Sequence, residues 1–250
     1  MSWAFLHPDG EYGFAHRGGD ERAPENTLAA FQHATDLGFR YLETDVHLTR
    51  DGVLVAFHDK GLGRVAGAQG AIADRSWDEL ARLDLGAGNG IPRMDDLFAA
   101  FPDARFNIEP KSDAAVGPLT DMIRTRGLLH QVCIGSFKDA RVLAAQRLLG
   151  PDLCTSPGPI ALARLGTRSL VRGRRSTSRF GVVQVPPRLG PTRLTANQVA
   201  RYHEMGLQVH VWTINEAAEM RRLYDIGVDA LMSDRVSTLK QVLTERGRWS

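Results

Sequence analysis

The sequence predicts an α/β chain folded as an eight-stranded parallel barrel, (β/α)8, with one short insertion after the second strand. Three observations lead there. The chain is 250 residues long, the usual size of that architecture. Eight strand-type runs alternate with helical patterns along it. Polar residues collect where those runs end, which is where barrel enzymes place their chemistry. The same alternation would suit a doubly wound open sheet, so periodicity by itself leaves that topology open. No repeat and no Pro/Ser-rich linker divides the chain, and residues 1–250 read as one domain.

The first run, Tyr12 to Arg17, precedes a helix expected over Asn26 to Leu37, with Asn26 as its N-cap. The second, Tyr41 to Leu48, is followed by a hairpin partner at Val53 to Phe57. Further strands are expected at Arg105 to Lys111, Gln131 to Phe137, Asp152 to Thr155, Val182 to Pro186, Gln208 to Ile214 and Ala230 to Ser233. Helical patterns cover Ala140 to Leu149, Ala196 to Met205, Glu216 to Tyr224 and Val236 to Arg246. Residues 59–92 break the rhythm. Seven glycines lie there, and only one short helix is expected, Trp77 to Leu83, with Ser76 and Glu79 at capping-box spacing. A connection so long suggests a lid or a substrate-shaping insertion.

Composition excludes several classes. Hydrophobic residues make up 43% and charged residues 24%, which is ordinary for a soluble globular chain and too apolar for disorder. A net charge of +2 argues against a dedicated nucleic-acid binder. Two cysteines, Cys133 and Cys154, cannot staple a fold of this size and read as buried, reduced thiols. No signal-peptide segment or membrane span is found, and the cytoplasm is the default compartment.

The polar residues at strand ends form a set. The first strand ends in His16-Arg17-Gly18, and the second carries Glu43 and Asp45, whose i,i+2 spacing puts them on one face. The hairpin ends in His58-Asp59, the third strand in Glu109-Pro110-Lys111, and the seventh in Trp212-Thr213. Burying Glu43, Asp45 and Glu109 together costs several kcal/mol through desolvation and repulsion, a cost that a divalent cation removes. Three carboxylates without a thiolate suit Mg²⁺ or Ca²⁺ better than Zn²⁺. His16 and His58 can divide general acid and general base near neutral pH. Arg17 and Lys111 offer positive charge to a phosphate-like group. Together these residues describe phosphoryl chemistry at an activated hydroxyl.

The chain resembles the glycerophosphodiester phosphodiesterase family. The resemblance is carried by Ala15-His16-Arg17-Gly18, Ala23-Pro24-Glu25-Asn26-Thr27, the run Glu43-Thr44-Asp45-Val46-His47-Leu48-Thr49-Arg50-Asp51-Gly52 and the pair His58-Asp59. Later blocks are Asn107-Ile108-Glu109-Pro110-Lys111, Val211-Trp212-Thr213-Ile214-Asn215, Gly227-Val228-Asp229-Ala230 and Ser233-Asp234-Arg235. The resemblance runs from about Tyr12 to Arg235. It implies a TIM barrel that hydrolyses glycerophosphodiesters to glycerol 3-phosphate and an alcohol with a divalent cation, Mg²⁺ or Ca²⁺. It further implies His16 and His58 as the acid/base pair, Glu43, Asp45 and Glu109 as metal ligands, and Arg17 and Lys111 on phosphate. Trp212 would form an apolar wall beside the glycerol, and Glu25 would brace the first active-site loop or approach the metal. Pro110 departs from the family pattern, where an apolar β-branched residue is usual, as does His47. Residues 59–92 are short for the family's insertion, which implies an open pocket of loose selectivity.

Two other readings stand beside this one. A lysophospholipase D acting on long-chain substrates at a membrane would show apolar surface around the barrel mouth. A catalytically silent barrel that binds phosphodiesters would lack one of His16, His58, Glu43, Asp45 or Glu109, and all five are present. Six arginines and no acid lie in Arg164 to Arg179, which against the total of +2 leaves −4 elsewhere. The plain reading of that stretch is a solvated connection; the sharper one is a weak contact with an anionic membrane surface. Oligomeric state is not readable.

Overall fold

A computed structural model describes residues 3–7, 10–168 and 179–249. Eight parallel strands form the barrel: Tyr12–His16, Tyr41–Leu48, Arg105–Pro110, Val132–Ile134, Cys154–Thr155, Val182–Val185, Gln208–Val211 and Ala230–Ser233. The first strand pairs with the eighth, Tyr12 opposite Ala230 through Ala15 opposite Ser233. The ladder is continuous around the ring except between the fifth and sixth strands. That seam is spanned by single bonds, from Gly181 N to Thr155 O at 3.1 Å and from Gln184 N to Ser156 Oγ at 3.1 Å. The barrel is thus nearly closed, and the open-sheet alternative falls.

Period-2 alternation sets what faces inward. Tyr12 and Phe14 on the first strand, Tyr41 on the second and Met232 on the eighth fill the lower interior with Cys133 and Cys154. Both cysteines are buried and unbridged. Outward faces of the strands, among them Leu42 on the second and Phe106 and Ile108 on the third, pack against the helices in the main core. The N-terminal segment plugs the barrel floor, where Phe5 lies edge-on to Tyr41 and its carbonyl accepts from the Tyr41 hydroxyl at 3.1 Å. His210 is buried in that layer with Nε2 2.8 Å from the Tyr12 hydroxyl. Burial pushes its pKa down to about 4, so it is a neutral packing residue there.

Several expected boundaries shift. The strand expected to reach Phe137 ends at Ile134, although Gly135 N still donates to Ile108 O at 3.2 Å. A Cβ on Gly135 would sit 2.5 Å from Gln184 Oε1, so a larger residue there would push the Gln184 amide aside. The first helix is Leu28–Asp36 and its N-cap is Thr27, whose hydroxyl accepts from Ala30 N at 3.2 Å. Asn26 is therefore not the cap.

The hairpin strand Leu54–Ala56 runs antiparallel to the second strand, Ala56 opposite Val46. The insertion beyond it has a small core of its own, with Phe57, Leu62, Ile72 and Leu80 at its centre. It contains three short helical turns rather than one: Gly63–Ala66, Ile72–Asp74 and Trp77–Leu80. Glycines that interrupt periodicity hide such turns. The capping box forms as expected, Ser76 N donating to Glu79 Oε2 at 2.8 Å. Arg164 lies on the helix Pro159–Arg168, but residues 169–178 of the basic stretch lie outside the described residues. Among the described residues no helix is long and apolar enough to cross a membrane.

Candidate active site

The alternation that buries Tyr12, Phe14 and Tyr41 low in the barrel presents His16, Glu43 and Asp45 at its top. They open into a cavity of about 380 Å³ at the C-terminal ends of the strands. Its charged side is His16, Arg17, Glu43, Asp45, His58 and Glu109; its apolar side is Phe137, Pro157, Leu162, Pro186, Trp212 and Met232. Of the eight residues singled out from sequence, seven line this cavity. Lys111 does not. Its ammonium lies 3.0 Å from Asp45 Oδ1 and 3.0 Å from Glu109 Oε2. Burial opposes that charge, but the two carboxylates outweigh it and hold the Lys111 pKa up.

The carboxylates are electrostatically crowded. Glu43 is buried, and burial together with the charge of Asp45 pushes its pKa up to about 7. Its Oε2 accepts from Arg17 N at 3.1 Å and stands 3.7 Å from His16 Nε2. Arg17 Nε is 3.2 Å from Asp45 Oδ2, yet it has no aligned hydrogen-bond acceptor, so that contact is one of charge alone. Among the described residues no group of three His, Cys, Asp or Glu side chains has its donors gathered as a metal would gather them. Lys111 occupies the gap between Asp45 and Glu109 instead. In donor chemistry the set does fit a hard divalent cation: oxygen ligands from two adjacent strands, one of them driven toward its neutral form by burial and by the neighbouring carboxylates.

Each of the two histidines has Nδ1 held by an aspartate. His16 Nδ1 is 2.6 Å from Asp234 Oδ1, and His58 Nδ1 is 2.6 Å from Asp59 Oδ1. A carboxylate only accepts, so the Nδ1 proton belongs to these bonds and Nε2 is the working edge of each ring. Burial works against charge on His16, but Glu43 and the bond to Asp234 outweigh it and raise its pKa. Asp234 is fixed in turn by Asn215 Nδ2, donating to Oδ2 at 2.9 Å. Asn215 Oδ1 accepts from Asp234 N at 3.0 Å and from the Ser233 hydroxyl at 3.1 Å. His47 Nε2 lies 3.2 Å from His58 O, a support behind the site.

Sequence reasoning left Asp234 and Asn215 without a role, although both stand in the blocks that carry the resemblance. A partner 218 residues away leaves no local spacing to read. Phe137 was also missed; it sits edge-on to Trp212, ring centroids 5.5 Å apart, and its one signal was an apolar residue at the end of an expected strand.

The loop after the first strand turns sharply to bring these groups together. Arg17 adopts φ +54° and Gly18 φ +84°, the left-handed region. A Cβ on Gly18 would meet Phe31 N at 2.8 Å, so the first helix can pack close only against glycine. Buried Asn26, at φ +57°, accepts from the Thr44 hydroxyl at 2.8 Å and donates from Nδ2 to Asp45 Oδ2 at 3.4 Å. It anchors the second strand where a cap was expected. Glu25 Oε1 accepts from Arg17 Nη1 at 3.1 Å, so Glu25 braces the loop. None of residues 59–92 lines the cavity, so the insertion is not a lid in this structure.

Comparison with known proteins agrees along nearly the whole chain. The glycerophosphoryl diester phosphodiesterase family matches residues 16–238. A Mycobacterium tuberculosis protein named "Probable glycerophosphodiester phosphodiesterase 2" is 41% identical, across 98% of this chain and 95% of its own. A glycerophosphodiester phosphodiesterase of Caldanaerobacter subterraneus is 29% identical, across 93% and 98%. Among solved structures, an Oleispira antarctica phosphodiesterase in complex with the product sn-glycerol-3-phosphate has a TM-score of 0.79 at 23% identity, covering 94% of this chain and 97% of its own. That last likeness is one of fold.

Proposed function

This chain belongs to the glycerophosphoryl diester phosphodiesterase family, and from that premise we propose that it hydrolyses glycerophosphodiesters to glycerol 3-phosphate and an alcohol. The observation that carries the reading is the pair of aspartate-held histidines on one cavity with Arg17 and three carboxylates. In the reaction, one histidine takes the proton of the attacking oxygen at Nε2 as that oxygen bonds to phosphorus. The attacking group is water or a hydroxyl of the glycerol itself; the hydroxyl route passes through a cyclic phosphate that water then opens. The bond from phosphorus to the leaving alcohol breaks, and that oxygen takes a proton from the other histidine. Asp234 and Asp59 keep each ring in the tautomer that presents Nε2 and stabilise the ring when it is charged. Arg17 faces the negative charge that builds on the phosphoryl oxygens, and Trp212 packs beside the glycerol.

A divalent cation, Mg²⁺ or Ca²⁺, is part of this proposal. Glu43, Asp45 and Glu109 would hold it, and it would supply further charge stabilisation at phosphorus. The raised Glu43 pKa supports that assignment, because a buried carboxylate beside two others is relieved by a cation.

The apolar side of the cavity favours a second reading of the leaving group. Phe137 and Ile160 are each 62% exposed at the rim, and Pro159 joins the cavity to a shallow apolar dent that reaches Ile160 and Ala163. Such a rim suits an alcohol with an alkyl chain, as in lysophospholipase D chemistry. The test is release of glycerol 3-phosphate from glycerophosphocholine, glycerophosphoethanolamine, glycerophosphoglycerol and a lysophospholipid, with Mg²⁺, with Ca²⁺ and with chelator. Chelator-sensitive turnover of the short diesters is expected. Turnover of the lysophospholipid alone would transfer the proposal to the second reading, and turnover of none would leave a phosphodiester-binding barrel.

A further inference from the structure

The insertion puts no side chain into the cavity, yet one of its residues grips the cavity's edge. Arg64 sits on the helix Gly63–Ala66 with its side chain 49% exposed. Its guanidinium holds Asp59 by two bonds, Nε to Oδ2 at 2.6 Å and Nη2 to Oδ1 at 3.0 Å. It holds Glu25 by two more, Nη1 to Oε2 at 2.9 Å and Nη2 to Oε1 at 2.7 Å. Asp59 Oδ1 is the atom 2.6 Å from His58 Nδ1, and Glu25 Oε1 is the atom that accepts from Arg17 Nη1 at 3.1 Å. One residue therefore joins the hairpin end that carries His58 to the first-strand loop that carries Arg17. Without it, Asp59 and Glu25 face each other as two like charges.

We propose that Arg64 is a positioning residue of the reaction, setting His58 through Asp59 and Arg17 through Glu25. The inference rests on the phosphodiesterase reading above. It also gives the insertion a task other than covering the substrate. Partly exposed ion pairs contribute little to folding, whereas a reacting group displaced by about 1 Å can cost a hundredfold in rate. The planar fork matters, because a lysine in that place has three donors on one atom and cannot make the four bonds, two to each carboxylate, that the guanidinium makes.

The experiment compares wild type, Arg64→Ala, Arg64→Lys, Asp59→Asn and the double variant Arg64→Ala/Asp59→Asn as full chains, on glycerophosphocholine with divalent cation present. For Arg64→Ala, kcat is expected to fall about 10–100-fold, the usual cost of losing an outer support, and to fall by a larger factor than KM rises. Arg64→Lys recovers part of the loss. Added guanidinium ion, at concentrations far below those that denature, restores part of the Arg64→Ala rate and leaves wild type unchanged. The double variant is no slower than the slower single variant. Were Arg64→Ala insoluble, Glu25→Gln would remove one arm alone and is expected to show a smaller fall of the same kind. Arg64→Ala within twofold of wild-type kcat overturns the proposal. So does a loss that guanidinium fails to restore and that tracks a lowered melting temperature. An inactive, folded wild type would instead sink the phosphodiesterase reading, which separates the two failures.

Discussion

His16 and His58 carry the same contact, an aspartate oxygen 2.6 Å from Nδ1, and reach it by opposite routes. Asp234 comes from the far end of the chain, brought in because the first and eighth strands are neighbours. Its carboxylate is locked by Asn215, and the His16 side chain is 14% exposed. Asp59 is the next residue to His58, clamped by Arg64 from the insertion, and the His58 side chain is 32% exposed. One imidazole is held by the barrel frame and the other by a clip on its surface. The frame-held ring sits in lower dielectric, where each hydrogen bond weighs more. The clip-held ring depends on charges that salt screens.

The largest effects belong to the rings themselves. His16→Ala and His58→Ala are each expected to lower kcat by about 10²–10⁴-fold, the usual worth of a positioned acid or base, with folding intact. Repeating both on a glycerol phosphodiester of p-nitrophenol tells the roles apart. A leaving group that needs no proton softens the loss of the acid and leaves the loss of the base in full. Two equal losses on both substrates would mean that neither ring protonates the leaving oxygen.

The two aspartates come next and test the comparison directly. Asp234→Asn and Asp59→Asn keep size and remove the charge that selects the tautomer. Losses in kcat of about 10–100-fold are expected for such supports, with Asp234→Asn at the upper end and Asp59→Asn at the lower. The pKa directions point the same way for Asp234: burial would raise it, but its bond to His16 and that ring's charge hold it below the ordinary carboxylate range. Equal losses would show that frame and clip are equivalent. Measured in rising salt, wild type should lose activity and Asp59→Asn should lose proportionally less, because its clip is already broken.

How much of this was readable from sequence follows from the same contrast. Glu43, Asp45 and Glu109 announced themselves because strand periodicity and apolar flanks are local signals. The alternation of strands and helices was readable for the same reason, but the closure of the barrel was not, because it rests on the first strand pairing with the eighth. Asp59 stood beside His58 and could be noticed. Asp234, Asn215 and Arg64 could not be assigned, since their partners are set by which strands and loops become neighbours after folding. Asn26 misled because a helix start is its commonest setting, whereas here the following Thr27 takes the cap and frees Asn26 to reach Thr44 and Asp45. The Gly-rich insertion hid its helical turns and, with them, the residue that links it to the site.

A third pair shows what the geometry cannot say alone. His203 Nε2 lies 2.7 Å from Asp229 Oδ2, and that oxygen also accepts from Val209 N at 2.7 Å. The contact is as short as the other two, but Asp229 precedes the eighth strand, at the barrel end opposite the cavity. His203 is thus a control for location. His203→Ala should leave kcat and KM unchanged, and a loss of activity there would mean that the first two pairs act through general stability. Its own effect is on folding. The bond to Asp229 raises the His203 pKa above 6.5, so the folded state binds that proton more tightly than the unfolded chain. The stabilisation is complete below pH 6.5 and disappears as pH rises through the folded pKa. The side chain is 40% exposed, and solvent screening limits the contribution to roughly 0.2–1 kcal/mol. Denaturant unfolding of wild type and His203→Ala at pH 5 and pH 9 should show the larger difference at pH 5. Because any change in helix propensity at position 203 is the same at both values, the difference between them isolates the ion pair, and a pH-independent difference would assign the whole effect to the helix.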